Sequence, residues 1–189
     1  MTILETAICN LKDEIMLSNY FNKLYEYAEI IHDGDKSYPQ AYLANGNYTR
    51  VYDFDINGSG YIRKNGSVST SVVGSSTVAC SDTNPMIDIT VPLRLVCAVP
   101  KSKLSDNGFS DDTLAFDLIG YIGRRQSAVT GATSVTGRVM GYSTDRNQIW
   151  SQEVRGIDKQ LLLTLSFIAI DFTITIRAPL DCISQNCNY

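Results

Sequence analysis

The sequence predicts an α+β fold: a mainly antiparallel twisted sheet with helices packed on one face, plus an extended hairpin or arm. The strongest sign is the run from Leu161 to Arg177, whose β-branched and aromatic residues favour a strand over a helix. Its alternation changes phase. Leu161, Leu163, Leu165 and Phe167 share one side, whereas Ile168, Ile170, Phe172, Ile174 and Ile176 share the other. A flat strand of this length spans roughly 50 Å at about 3.3 Å per residue, so a bulge or sharp bend is expected at Phe167–Ile168. A second strand alternates from Ile87 to Val99, and two segments carry apolar residues at helical spacing. Helices and strands that follow no repeating βαβ order point to helices laid on an antiparallel sheet.

The 189 residues and 44% hydrophobic content suit a single domain spanning 1–189, with an exposed arm at 67–84. The net charge of −4 comes from 16 basic and 20 acidic residues that are intermixed. No basic stripe for gripping phosphates results, which argues against nucleic-acid binding. The acidic N-terminal segment lacks the basic patch and apolar run of an export signal. The longest apolar tract, Leu161 to Ile170, contains Thr164 and Ser166 and is too short and strand-like to cross a bilayer. Synthesis and use in cytosol-like conditions, with no membrane partner, are expected.

Taken in order, the chain opens with an amphipathic helix. Thr2 and Glu5 form a capping box, and Leu4, Ile8, Leu11 and Ile15 recur on one side as far as Leu17. Phe21 to Ile31 is compatible with a continued helix or the first strand of the sheet, and the turn residues Asp33-Gly34-Asp35 that follow favour the strand. Tyr42, Tyr48, Val51, Phe54 and Ile56 then sit between three hairpin-type signals, Asn45-Gly46, Asn57-Gly58 and Asn65-Gly66, which together suggest an antiparallel meander. Ser67 to Asn84 is rich in Ser, Thr and Val and fits the exposed hairpin or arm. In the following strand, Pro92 implies an edge or a bulge, because proline donates no ladder hydrogen bond. A second helix starts at Ser110 or Asp111, ends with Arg124-Arg125 in its last turn, and presents Leu114, Ala115, Leu118, Ile119 and Ile122. Gly120 and Gly123 would let it approach the sheet closely. Ser127 to Gly141 reads as a Gly/Thr/Ser loop and Ile149 to Val154 as a short strand.

Candidate chemistry is sparse. Asp53-Phe-Asp-Ile-Asn-Gly58 matches the start of a calcium loop, but Lys64 stands where the closing bidentate carboxylate belongs, so a hairpin turned by Asn57-Gly58 is the better reading. Gly131 to Gly137 lacks both the spacing and the Lys-Ser/Thr of a phosphate loop. His32 beside Asp33 has no nucleophile elbow to accompany it. Cys9, Cys80, Cys97, Cys182 and Cys187 are odd in number and unlike zinc spacing, and they read as free thiols, although Cys182 and Cys187 would close a small loop under oxidising conditions. Asp171 and Arg177, on the same side of the long strand, suggest an exposed or intersubunit charge pair. No catalytic residue, cofactor or metal is expected.

The N-terminal amphipathic helix, the tyrosine-rich β region, the strand and helix, and then Asn147-Gln-Ile-Trp-Ser-Gln-Glu153 leading into the Ile-rich Phe167 to Cys182 resemble the tail-terminator and tail-completion proteins of tailed bacteriophages. The likeness covers most of the chain as a pattern, and its most specific part is the closing Phe-Thr-Ile-Thr-Ile strand. The resemblance implies a small α+β virion subunit that forms a homo-oligomeric ring in the neck or at the head-proximal end of the tail. Such a ring joins portal-side and tail-side proteins and touches DNA only as it passes through. Pro92, Asp171 and Arg177 are candidates for the contact between subunits. The Ser/Thr-rich segments Ser67 to Asn84 and Ser127 to Gly141 are extra to the family pattern and leave terminator, stopper and other neck-ring roles open. Alternative readings are a tail-tube-like or other phage assembly subunit, a calcium-dependent binding module, and a small hydrolase.

Overall fold

The computed structural model describes residues 2–43, 47–75, 85–105, 110–124, 131–157 and 164–180. In chain order they form α1 (Ile3–Met16), β1 (Lys23–Asp33), β2 (Lys36–Tyr42), β3 (Tyr48–Arg50), β4 (Ser59–Lys64), β5 (Ser69–Ser75), β6 (Pro85–Pro100), α2 (Lys101–Ser105), α3 (Asp111–Ile122), β7 (Ser134–Ser143), α4 (Arg146–Glu153) and β8 (Leu165–Pro179). The strands make one sheet in the order β3-β2-β1-β4-β6-β8-β7, with β5 added beside β6. Every pairing is antiparallel except β1 with β4. The fold is α+β, with a mostly antiparallel sheet.

The sheet is covered on both sides, by α1 and α3 on one and by α4 on the other. On the first side, Ile8, Leu11 and Ile15 of α1 and Leu114, Leu118 and Ile122 of α3 pack on Leu93, Leu95 and Cys97 of β6 and on Ile168 to Ile176 of β8. On the second, Ile149 of α4 and Val51 pack on Tyr61, Val96, Ala98, Leu165, Phe167 and Ala169. The placement of helices on one face alone is therefore corrected by α4. The two covered sides also explain the phase change in the long strand. β8 pairs with β6 from Met86↔Pro179 to Pro100↔Leu165 without a register shift, so the strand neither bulges nor breaks at Phe167–Ile168. Leu165 and Phe167 serve one core while Ile168 and Ile170 serve the other. Burying each such side chain is worth about 1.5–3 kcal/mol.

α1 starts as its sequence dictates: Thr2 N–H donates to Glu5 Oε2 at 2.7 Å and Glu5 N–H to Thr2 Oγ1 at 3.2 Å. Ser110 caps α3 by accepting from Thr113 N–H, but the helix stops at Gly123, so Arg124 lies past the last turn. Arg125 is outside the described residues. The segment expected as the strand Ile149–Val154 is helix as far as Glu153, with Val154 as its extended C-cap. Asp145 Oδ1 accepts from the N–H groups of Asn147 and Gln148 at 2.9 and 3.1 Å, an N-cap that nucleates α4. Ile149 and Glu153, four apart, become its buried side. The strand lies instead in the stretch assigned to a loop, where Val135 and Val139 of β7 face the α3 side of the sheet.

The meander holds for β1, β2 and β3, although Asn45-Gly46 lies outside the described residues. Asn57-Gly58 and Asn65-Gly66 turn no hairpins. The first delivers the chain into β4, parallel to β1, and the second lies between β4 and β5, which pair successive parts of the same side of β6. Pro92 sits at that changeover, between Leu93 paired to Lys64 and Thr90 paired to Ser69. It is thus interior to the sheet, neither on an edge strand nor at a register shift, and its missing N–H falls where β6 changes partners. Along β5, side chains from Ser69 to Val73 are exposed, and residues 76–84 are outside the described set.

Close packing of α3 depends on a glycine of the sheet, not on its own. A Cβ at Gly120 would meet open space, whereas a Cβ at Gly137 of β7 would collide with the backbone carbonyl of Ile122. Gly137→Ala is therefore expected to destabilise the fold by about 1–3 kcal/mol, as overpacked sites do. Gly120→Ala should stabilise by up to about 1 kcal/mol through helix propensity. Denaturant unfolding of both variants checks the pair, and equal behaviour would contradict this account of the α3 contact.

Candidate functional site

Register places three charged residues side by side across the sheet: Arg63 of β4 opposite Arg94 of β6, and Arg94 opposite Asp171 of β8. The carboxylate of Glu153, carried on α4, lies against the first two. Arg63 Nε and Nη2 donate to Glu153 Oε2 and Oε1, both at 2.7 Å, in a two-pronged fork. Tyr61 O–H donates to Oε2 at 3.0 Å, and Arg94 Nη1 lies 3.4 Å from Oε1. Arg94 Nη2 also donates to Gln152 Oε1 at 2.7 Å. Its Nε is buried and 3.4 Å from Asp171 Oδ1, attracted to that carboxylate but without a hydrogen bond. Asp171 accepts from Asn65 Nδ2 at 2.8 Å, and Arg63 Nη1 donates to Asn65 Oδ1 at 3.0 Å. Arg63, Arg94 and Glu153 are 9%, 8% and 3% exposed, so water screens little of this cluster.

Burial opposes the charge on Arg63, yet the hydrogen bonds and charge of Glu153 outweigh it and hold the guanidinium above its usual range. Burial, reinforced by Glu153, pushes the Tyr61 phenol well up. Both oxygens of the Glu153 carboxylate are engaged by guanidinium and phenol groups, and among the described residues no Ser, Thr or Cys side chain is bonded to it. Cys97 lies on the other side of β6, where burial pushes its thiol far up and leaves it inert. The cluster is suited to fastening α4 to the sheet.

The sequence-derived residues are scattered. Asp171 and Arg177 do not pair with each other: Asp171 faces Arg94, and Arg177 Nε and Nη2 donate to Asp88 at 2.7 Å each. Period-two spacing put them on one side, but their partners come from β6 directly opposite. Pro92 is part of neither contact. His32 is exposed near the end of β1, opposite Ser37. Gly131 to Gly137 runs into β7 rather than forming a phosphate loop. Among the cysteines, Cys9 and Cys97 are free, while Cys80, Cys182 and Cys187 fall outside the described residues.

The calcium-like loop is organised around a lysine. Asp55 Oδ1 accepts from Asn57 N–H at 2.8 Å and Oδ2 from Asn22 Nδ2 at 3.3 Å, and the hydrogen bond from Asn57 holds the Asp55 carboxyl below its ordinary range. Lys103 Nζ donates to the carbonyls of Asn19, Tyr20 and Asn57 at 3.2, 3.0 and 3.1 Å. The ammonium of Lys103 thus ties the Asn57 carbonyl of the loop to the Asn19–Tyr20 turn that follows α1. No group of three or more His, Cys, Asp or Glu able to hold a metal occurs among the described residues, and none of their helices is long and apolar enough to cross a membrane.

Neither the models of known protein families nor the curated proteins include a match to this chain.

Removing the Glu153 carboxylate would strand two buried guanidinium groups. Glu153→Ala is expected to cost about 3–5 kcal/mol, the range for breaking a buried pair from one side. Denaturant unfolding measures it, and a loss below 1 kcal/mol, a value about that of an exposed pair, would remove the cluster's fastening role. For the lysine, calcium or a chelator should leave the melting temperature unchanged, whereas Lys103→Ala should lower it. A calcium-induced rise in the unmodified protein would reverse this reading of the loop.

Proposed function

We propose that this protein is a virion structural protein that forms a homo-oligomeric ring in the neck of a tailed phage, joining the portal side to the tail. It acts stoichiometrically, with copies of itself and the flanking neck and tail proteins as partners and with DNA only passing through. The observation that carries the proposal is the division of the sheet into a core end and a polar end. Toward the core end, both sides are covered by helices or apolar residues, and the buried charge is consumed internally. At the other end, one side is a hydroxyl-rich surface in which Thr90 and Thr175 share a 3.1 Å hydrogen bond and Asp88 and Arg177 neutralise each other. Such a surface offers contact area without a reactive group. Its hydroxyls are neutral and its Asp88–Arg177 charges are paired, leaving the exposed Arg138 opposite Thr173, so the surface suits a wall that DNA passes with little hold. The sequence resemblance to terminator and completion proteins points the same way.

Light scattering after size exclusion should give a mass several times the 20.9 kDa of one chain, and electron microscopy should show closed rings. Deleting the gene should leave heads and tail parts unjoined, or tails of abnormal length, with late proteins made normally. Intact, infectious, normally tailed particles lacking the protein would end the proposal.

A further inference from the structure

We infer that the outer edge of β5 pairs antiparallel with the outer edge of β7 on a second copy of this chain, so that the polar end of the sheet continues from subunit to subunit. This seam deepens the ring proposal and rests on it. At this end the sheet is four strands wide, β5-β6-β8-β7, and among the described residues β5 pairs only with β6 and β7 only with β8. Both lateral edges therefore present unpaired backbone groups at the same height.

The register makes the edges match. Ser69, Thr90, Thr175 and Thr136 form one row across the four strands, and Thr70, Ile89, Ile176 and Val135 form the next. A third row runs Ser71, Asp88, Arg177 and Ser134. Each row thus begins and ends in small or β-branched residues of matching character. A neighbour placed without axial offset would set Ser69 beside Thr136, Thr70 beside Val135 and Ser71 beside Ser134, with hydroxyls on one side of the sheet and the apolar or branched pair on the other. Directions also agree. Successive strands alternate through three antiparallel pairings, so β5 and β7 run oppositely, and the added contact between similarly oriented copies is antiparallel as well.

From Ser69 to Val72 the β5 edge lacks the charges and proline that keep an edge strand single, and its one register shift lies beyond, between Val72 and Gly74. Ser67 to Ser75 contains no charge and no proline, and Val72 is 71% exposed. A β5 edge joined to a β7 edge is a heterologous contact that each copy repeats at its two sides, the type from which rings are closed. The occupant is a second copy because the same chain supplies both halves, matched row by row.

The full-length protein tests this with Ser69→Cys, Thr136→Cys and the combined variant, each treated with a mild oxidant or a short bismaleimide beside the unmodified protein. Both positions are exposed, so the fold should tolerate them. A ladder of covalent multimers in the combined variant, with each single variant at the background of the unmodified protein, is the expected result. Val72→Lys, at the same edge, should shift the mass toward one chain with an unchanged circular dichroism spectrum. Dimers from either single variant would mean like edges meet and would overturn the heterologous seam. Oligomers that neither cross-link nor respond to Val72→Lys would overturn the seam while leaving the ring standing. A monomer at every concentration would end both.

Discussion

The uninterrupted ladder between β6 and β8 is the constraint from which the rest of the structure follows. It runs the full length of β8, and neither strand slips against the other. Side chains therefore keep a strict two-residue phase from Leu165 to Pro179. One phase places Ile168, Ile170, Phe172, Ile174 and Ile176 under α1 and α3, and the other places Leu165, Phe167 and Ala169 under α4. Beyond Ala169 the second phase continues as Asp171, Thr173, Thr175 and Arg177, none of them in an apolar cluster. The ribbon is longer than the helical cover on that side. Its polar end is the direct result of length and phase, with no separate domain needed to create it.

Sequence pattern carried the parts of the fold that are local. The Thr2–Glu5 box, the apolar stripe of α1, the Ser110 start of α3 and the alternation of β6 each need only a few neighbouring residues to be read. The flip at Phe167–Ile168 was also legible, but its cause was not. A strand covered on opposite sides at its two ends gives the same pattern as a bulged strand, and only its partner distinguishes them. α4 was missed because six residues are too few to separate periods of 2 and 3.6, while the deciding cap at Asp145 lies outside them. β7 was missed because glycine, serine and threonine are also loop residues, and Gly137 is there for the Ile122 carbonyl rather than for a turn.

The charged cluster was illegible for a different reason. Arg63, Arg94 and Glu153 look like surface residues, and their burial depends on the β4–β6 register and on how α4 lies across it. An apolar set of the same volume would often serve stability as well or better, since desolvating charges offsets much of their attraction. What the fork adds is direction. Two contacts of 2.7 Å from one guanidinium to one carboxylate are met at a single position of α4. Apolar packing through Ile149 alone would tolerate sliding, so the cluster fixes where Trp150 and Val154 meet Tyr38 and Tyr52.

The same reasoning about phase applies at the edges. β5 shifts register between Val72 and Gly74, and β7 shifts between Val139 and Gly141. A bulge bends an edge strand and increases its twist, which ends regular pairing with anything beyond it. Each edge therefore has a regular segment bounded on one side, Ser69 to Val72 on β5 and Ser134 to Val139 on β7. These segments share three rows of the sheet, those of Ser69 and Thr136, Thr70 and Val135, and Ser71 and Ser134. Were the edges regular throughout, a partner strand could slide by two residues and keep its side chains in phase. Bounded segments limit how far that sliding can go, so irregularities that weaken the ladder inside one chain also confine any added strand to a short stretch of each open edge.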